Sequence, residues 1–188
     1  MHDMISVKNA SKSFGGHVVL SKFSAEIPLC GVTVLRGASG AGKTTLFRLL
    51  LGLEQPETGT IAGMSGRKPA VVFQEDRLLP WATALENAAL GSDEARATTA
   101  LTQLGLGESM HLLPRELSGG MKRRVAIARA LAYQGNILFL DEPFTGLDEE
   151  NKRIAANTML AANIPILVIT HDDAEAELFG DYCEIAID

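Results

Sequence analysis

Apolar residues fall in short unbroken runs: VTVLRG at 32–37, PAVVFQ at 69–74, NILFLDEP at 136–143 and PILVIT at 165–170, each bounded by glycine, proline or polar positions. Runs this short, apolar at successive positions rather than alternate ones, predict strands buried on both faces. TTLFRLLLGL (44–53), LSGGMKRRVAIARAL (117–131) and DEENKRIAANTMLAA (148–162) instead carry helical spacing, the last opening on Asp148 as an N-cap. Buried strands alternating with helices predict an α/β core with a mostly parallel sheet covered on both faces.

Two further regions depart from that rhythm. ISVKNASKSF (5–14) and HVVLSKFSAEI (17–27) alternate around a Gly-Gly turn, which predicts an antiparallel strand pair appended to the sheet. No strong strand appears between about 76 and 118. There, Thr83-Ala84-Leu85-Glu86 reads as a capping box, and SDEARATTALTQLGL (92–106) as a helix closed by glycine. This predicts a small helical lobe, about 76–133 with the LSGG helix included, inserted in a single domain spanning 1–188.

Composition narrows the class only modestly. An apolar fraction of 46% and a charged fraction of 21% are those of an ordinary globular chain, and the net charge of −6 argues against a nucleic-acid surface. The only dense basic run is Lys122-Arg123-Arg124. Cys30 and Cys183 match no metal-ligand spacing and point to a reducing cytoplasm. MHDMISVKNA has no secretion pattern, and no apolar run approaches the ~20 residues that cross a bilayer, so any membrane role requires a partner.

The chemistry lies at the strand ends. GASGAGKT (37–44) follows a strand and opens a helix, the setting of a nucleotide-binding P-loop. Gly37, Gly40 and Gly42, with Ala38, Ser39 and Ala41 between them and Thr45 just beyond, let backbone N–H groups converge on phosphate oxygens. Lys43 supplies a positive charge to the β- and γ-phosphates, and the Thr44 hydroxyl suits Mg²⁺. Asp141 and Glu142 leave a buried strand at the sheet edge where ligands gather, one acid placed for Mg²⁺ and the next for an attacking water. Ser118, Gly119 and Gly120 open another helix with free N–H groups, a second phosphate cradle in the same chain.

GASGAGKT, Gln74, LSGGM, ILFLDEP, Gly146-Leu147-Asp148 and His171, in this order, resemble the motifs of ATP-binding cassette (ABC) ATPases, from about Phe14 to His171. FQEDRLLPWATALEN (73–87) is similar to importers of the nitrate, sulfonate and taurine type. The resemblance implies ATP and Mg²⁺ as cofactors and a homodimer on ATP binding, each nucleotide lying between the P-loop of one chain and the LSGG helix of the other. It further implies that Phe14 stacks on adenine and that Glu142 is the general base. Gln74 would reach Mg²⁺ and the attacking water, and His171 the γ-phosphate. Thr44, Gln74 and Asp141 would hold the metal, and Asp148, also an N-cap, would contact the opposite chain. The expected activity is ATP hydrolysis energising solute uptake through a separate membrane permease, with a solute-binding protein in the system and no nucleic acid. The chain would then be cytoplasmic, peripheral at the inner face of the cell membrane.

A cassette working in DNA maintenance, translation or cofactor assembly is the alternative. A P-loop small-molecule kinase leaves LSGGM unexplained. Trp81 has two readings, the core of the helical lobe or an apolar patch that meets a membrane partner. His2, His17 and His111 match no motif and are read as structural. Against the family pattern the stretches 74–117 and 52–69 are short, and reduced elements are expected after His171.

Overall fold

The computed structural model describes residues 4–187; His2 lies outside them. Strands β3 (Val32–Arg36), β5 (Pro69–Val72), β6 (Ile137–Asp141), β7 (Ile166–Ile169) and β8 (Tyr182–Ala186) form an all-parallel sheet in the order β5-β6-β7-β3-β8. Every residue of β6 and β7 is buried, as continuous apolar runs require of central strands. Side chains alternate across the sheet and define two cores. Val34, Leu138, Leu140 and Val168 face one, and Leu35, Phe139, Leu167 and Ile169 the other.

Strands β1 (Met4–Phe14) and β2 (His17–Pro28) pair antiparallel across Gly15 and Gly16, both at positive φ. They are not appended to the parallel sheet, as the alternation predicted. With β4 (Thr58–Ala62) on the other side of β1 they form a separate sheet, β2-β1-β4. The reason is burial. Ile5, Val7, Ala10, Leu20 and Ile27 share a core with Leu46, Leu49 and Leu50 of helix α1 (Lys43–Leu50), so the sheet covers that helix instead of extending an edge. Strand β8 escapes the pattern rule because it is an edge strand with exposed Cys183 and Glu184.

Helices α2 (Ala84–Ala88), α3 (Glu94–Gln103) and α4 (Gly119–Ala132) fill the opposite core with Leu85, Leu101, Leu104 and Ile127. The Thr83 capping box forms, and α3 is capped by Asp93. Trp81 is no part of this core: it is 74% exposed. Asn87, completely buried, accepts a hydrogen bond from the Leu79 amide and donates to the carbonyls of Leu79, Ala82 and Thr83. That wiring pins the loop while leucines and alanines fill the interior, and the indole is left outside. Helices α5 (Glu149–Leu160) and α6 (Asp173–Glu177) flank β7 in sequence, and Asp148 caps α5 by accepting from the Asn151 amide. No helix among the described residues is long and apolar enough to cross a membrane.

Candidate functional site

The loop between β3 and α1 is tight for a definite reason. At Gly42, whose φ is 95°, a Cβ would sit 2.9 Å from both the Val19 carbonyl oxygen and Leu20 Cδ2, and at Gly37 it would collide with the Ile187 carbonyl. Gly40, at φ 85°, faces open space and is required by backbone conformation instead. Ala38 and Ser39 are exposed, while Ala41 and Thr45 are half-buried on the helix side. Lys43 Nζ donates to the carbonyls of Gly37 at 2.7 Å and Ala38 at 2.9 Å, so the ammonium curls over the rim of the cradle.

Strand β6 delivers the acids. Asp141 is 4% exposed and accepts a hydrogen bond from Thr44 Oγ1 at 3.2 Å. Burial pushes its carboxyl above the usual range; the Thr44 bond and the charges of Arg123 and Lys43 oppose this, while neighbouring Glu142 adds to it. Glu142 takes a left-handed backbone, φ 51°, while its amide still donates to the Ile169 carbonyl at 2.9 Å. A non-glycine residue in that region is uncommon and clusters at functional positions. The turn brings its carboxylate to His171, whose Nδ1 lies 3.0 and 2.9 Å from the two oxygens. That hydrogen bond, followed by the charge of Glu142, raises the His171 pKa above its ordinary value.

Gln74, Lys43, Thr44, Thr45, Asp141 and Glu142 line one open cleft of about 450 Å³ with the loop glycines Gly40 and Gly42. His17 lines it as well, although no motif marks it: the strand pairing of β1 and β2 carries the turn to the cleft mouth. Phe14, 42% exposed at the same turn, is not among the lining residues; Lys12 Nζ lies over its ring at 5.2 Å.

Ser118, Gly119, Gly120 and Asp148 are likewise absent from the cleft. The Ser118 side chain caps α4, accepting from the Met121 amide at 3.2 Å, and Ser118 and Gly119 stand exposed. Gly120 packs against the loop before Asp148, where a Cβ would come within 2.9 Å of the Gly146 carbonyl oxygen. Hydrogen bonds from Asn151 hold the Asp148 carboxyl below its usual range. The P-loop cleft and the Ser118–Gly120 helix start are therefore separate surfaces.

The Lys122-Arg123-Arg124 run is not a basic surface either. Arg123 is buried, and Arg124 donates to the Leu104 carbonyl at 2.8 Å, burial lowering its pKa. Among the described residues no three or more of His, Cys, Asp and Glu cluster as a metal site. The oxygen donors at the cleft, the Thr44 hydroxyl and Asp141 carboxylate, suit a hard cation completed by phosphate oxygens and water.

Residues 20–145 match the family model described as ABC transporter. The aliphatic sulfonates import ATP-binding protein SsuB 3 of Paraburkholderia xenovorans is 41% identical over 185 residues, covering 94% of this chain and 74% of its own length. The SsuB protein of Corynebacterium glutamicum is 38% identical over 190 residues, covering 94% and 77% respectively. Among solved structures, the dimeric ABC transporter cassette MJ0796 superposes with a TM-score of 0.83 at 28% identity, over 96% of this chain and 94% of that one. Its post-hydrolysis dimer, bound to ADP and Pi, gives 0.84 at 26% identity, over 98% and 97%. The parallel sheet, the glycine-cradled loop and the paired acids at its edge thus agree with these matches, and the chain belongs to the ABC transporter family as an ATP-binding and ATP-hydrolysing cassette.

Proposed function

We propose that this chain is the ATPase subunit of an importer, driving uptake of small organic anions of the sulfonate class through a separate membrane permease. The observation that carries the reading is the separation of the two cradles. The P-loop cleft holds Lys43, Thr44, Asp141, Glu142 and Gln74, while the Ser118–Gly120 helix start opens on another exposed surface. An incomplete cleft and an unused anion-binding helix end are complementary, and two chains related head to tail would complete both. ATP then joins the chains while its γ-phosphate is present, and hydrolysis releases them.

Within each composite site, the loop amides and Lys43 would hold the phosphates, and Phe14 would stack on adenine at the cleft mouth. Thr44, Asp141 and Gln74 fit Mg²⁺, which when bound neutralises charge on the β- and γ-phosphate oxygens. Glu142 would accept the proton of the attacking water, with His171, already against its carboxylate, orienting it and reaching the γ-phosphate. Ser118, Gly119 and Gly120 of the second chain would complete the γ-phosphate shell, with Asp148 at the interface.

The names of the relatives support import and the sulfonate class. A solute-binding protein would then supply the cargo, and the cassette would sit at the cytoplasmic face of the permease. Trp81, exposed directly after the Gln74 segment, is the apolar contact proposed for that permease. The testing experiment is Glu142→Gln. Turnover should fall by ~10²–10⁴ while ATP stays bound and a dimer accumulates on size exclusion. Near-normal hydrolysis would remove Glu142 from this role.

A further inference from the structure

Helix α4 begins with the LSGG segment and carries, one turn further on, the largest fully buried side chain among the described residues. Arg123 is 2% exposed. A guanidinium taken out of water persists only if its donors are met, and here they are met across two separate segments. Nη1 donates to the carbonyls of Phe73 at 2.6 Å and Gln74 at 3.2 Å and to the Asp76 carboxylate at 3.1 Å. Nη2 donates to the carbonyls of Asp141 at 2.7 Å and Glu142, and Nε to that of Pro143 at 3.1 Å. One planar group thus joins the LSGG helix to the Gln74 segment on one side and to the backbone of 141–143 at the exit of β6 on the other.

Arg129 of the same helix provides an internal comparison. It donates to the carbonyls of Asp76 at 2.7 Å and Arg77 at 2.9 Å, gripping the Gln74 segment without reaching residues 141–143. Only Arg123 spans both.

We infer that Arg123 is the positioning residue through which the LSGG helix sets the places of Gln74, Asp141 and Glu142, so that engagement of the cradle by a partner's nucleotide reaches the catalytic groups. This rests on the cassette reading above. Three of the backbone carbonyls it holds belong to residues that line the cleft, Gln74, Asp141 and Glu142. A displacement of α4 therefore moves Gln74 and the acids together instead of separating them. The rigid fork of a guanidinium is what permits it. A lysine ammonium keeps the charge and can pair with Asp76, but it is a single point and cannot bridge both segments.

The test compares Arg123→Lys, Arg123→Met and Arg129→Met in the full chain, measuring melting temperature, ATP affinity with a fluorescent analogue, kcat and KM. Wild type and Glu142→Gln run alongside, so that absence of ATPase activity in the wild type would fail the functional reading and not this one. Arg123→Lys should fold, bind ATP within about twofold of wild type, and lose kcat on the order of 10–100-fold, the scale of an ångström-level misplacement. Amide exchange should rise in 73–76 and 141–143 but not in the P-loop.

Arg129→Met should cost clearly less in kcat. The inference is overturned if folded Arg123→Lys keeps kcat within about twofold of wild type, if Arg129→Met loses as much, or if ATP affinity falls in parallel with kcat. Should the Arg123 variants fail to fold, Asp76→Asn weakens the hold on the Gln74 segment alone. It should lower kcat at least about threefold with ATP affinity unchanged, and an unchanged kcat there overturns the inference as well.

Discussion

Because the P-loop and the LSGG helix start, the two phosphate cradles proposed, occupy separate surfaces of one chain, damage to each should be complemented between chains but not within one. Lys43→Ala removes the ammonium now held by the Gly37 and Ala38 carbonyls, and with it the charge over the cradle. Ser118→Arg places bulk at the LSGG helix start. Ser118 is exposed, so the larger side chain meets no packed neighbour, and the lost cap costs roughly 0.5–2 kcal/mol. Against a domain stability of roughly 5–15 kcal/mol, both chains should stay folded. A pair of either variant with itself would have both sites defective, so neither alone should dimerise on ATP or turn over.

In an equal mixture, about half of random encounters pair unlike chains, and a two-fold head-to-tail arrangement gathers both lesions into one of the two sites. The other site joins the sound P-loop of the Ser118→Arg chain to the sound LSGG helix of the Lys43→Ala chain. About a quarter of wild-type sites are thereby restored, so phosphate release should recover to roughly one quarter of the wild-type rate if sites act independently. ATP-dependent dimers should reappear on sedimentation. A mixture of folded chains that gains neither dimer nor turnover over the single variants would refute the shared site.

Trp81→Ala should leave the melting temperature within about a degree or two, since an exposed truncation changes stability by ~0.5 kcal/mol or less, and should leave basal hydrolysis intact while weakening stimulation by the permease. Early melting would instead return Trp81 to the lobe core. The His171–Glu142 contact predicts an imidazole titration, read by NMR, with a midpoint above the ordinary 6.5. Because the folded value is raised, the pair stabilises fully below the ordinary value and the contribution is lost as pH rises through the raised one. Glu142→Gln should bring the midpoint back down, and a midpoint that Glu142→Gln leaves in place would remove the pairing. Without nucleotide the chain should sediment mainly as monomer, because the exposed LSGG surface offers little apolar area; a tight nucleotide-free dimer would contradict ATP as the adhesive.

The sequence alone carried the α/β class, the P-loop, the acids at the exit of β6 and the caps at Thr83 and Asp148. Each depends on neighbours a few residues apart, through strand burial, turn geometry or first-turn hydrogen bonds, and such local physics is written in local spacing. Three matters waited for the tertiary structure. The first strand pair formed its own sheet with β4 because α1 needed covering, a demand invisible within residues 4–28. Trp81 went outward because a buried Asn87 fixed its loop, and an asparagine in a helical pattern announces nothing of its partners. Arg123 sat in a dense basic run with nothing to mark it as buried, yet its donors close on carbonyls from segments about 20 and 50 residues away. Periodicity records which face of an element is apolar. It does not record which distant backbone groups a buried cation will satisfy, because that depends on how β5, β6 and α4 meet in space.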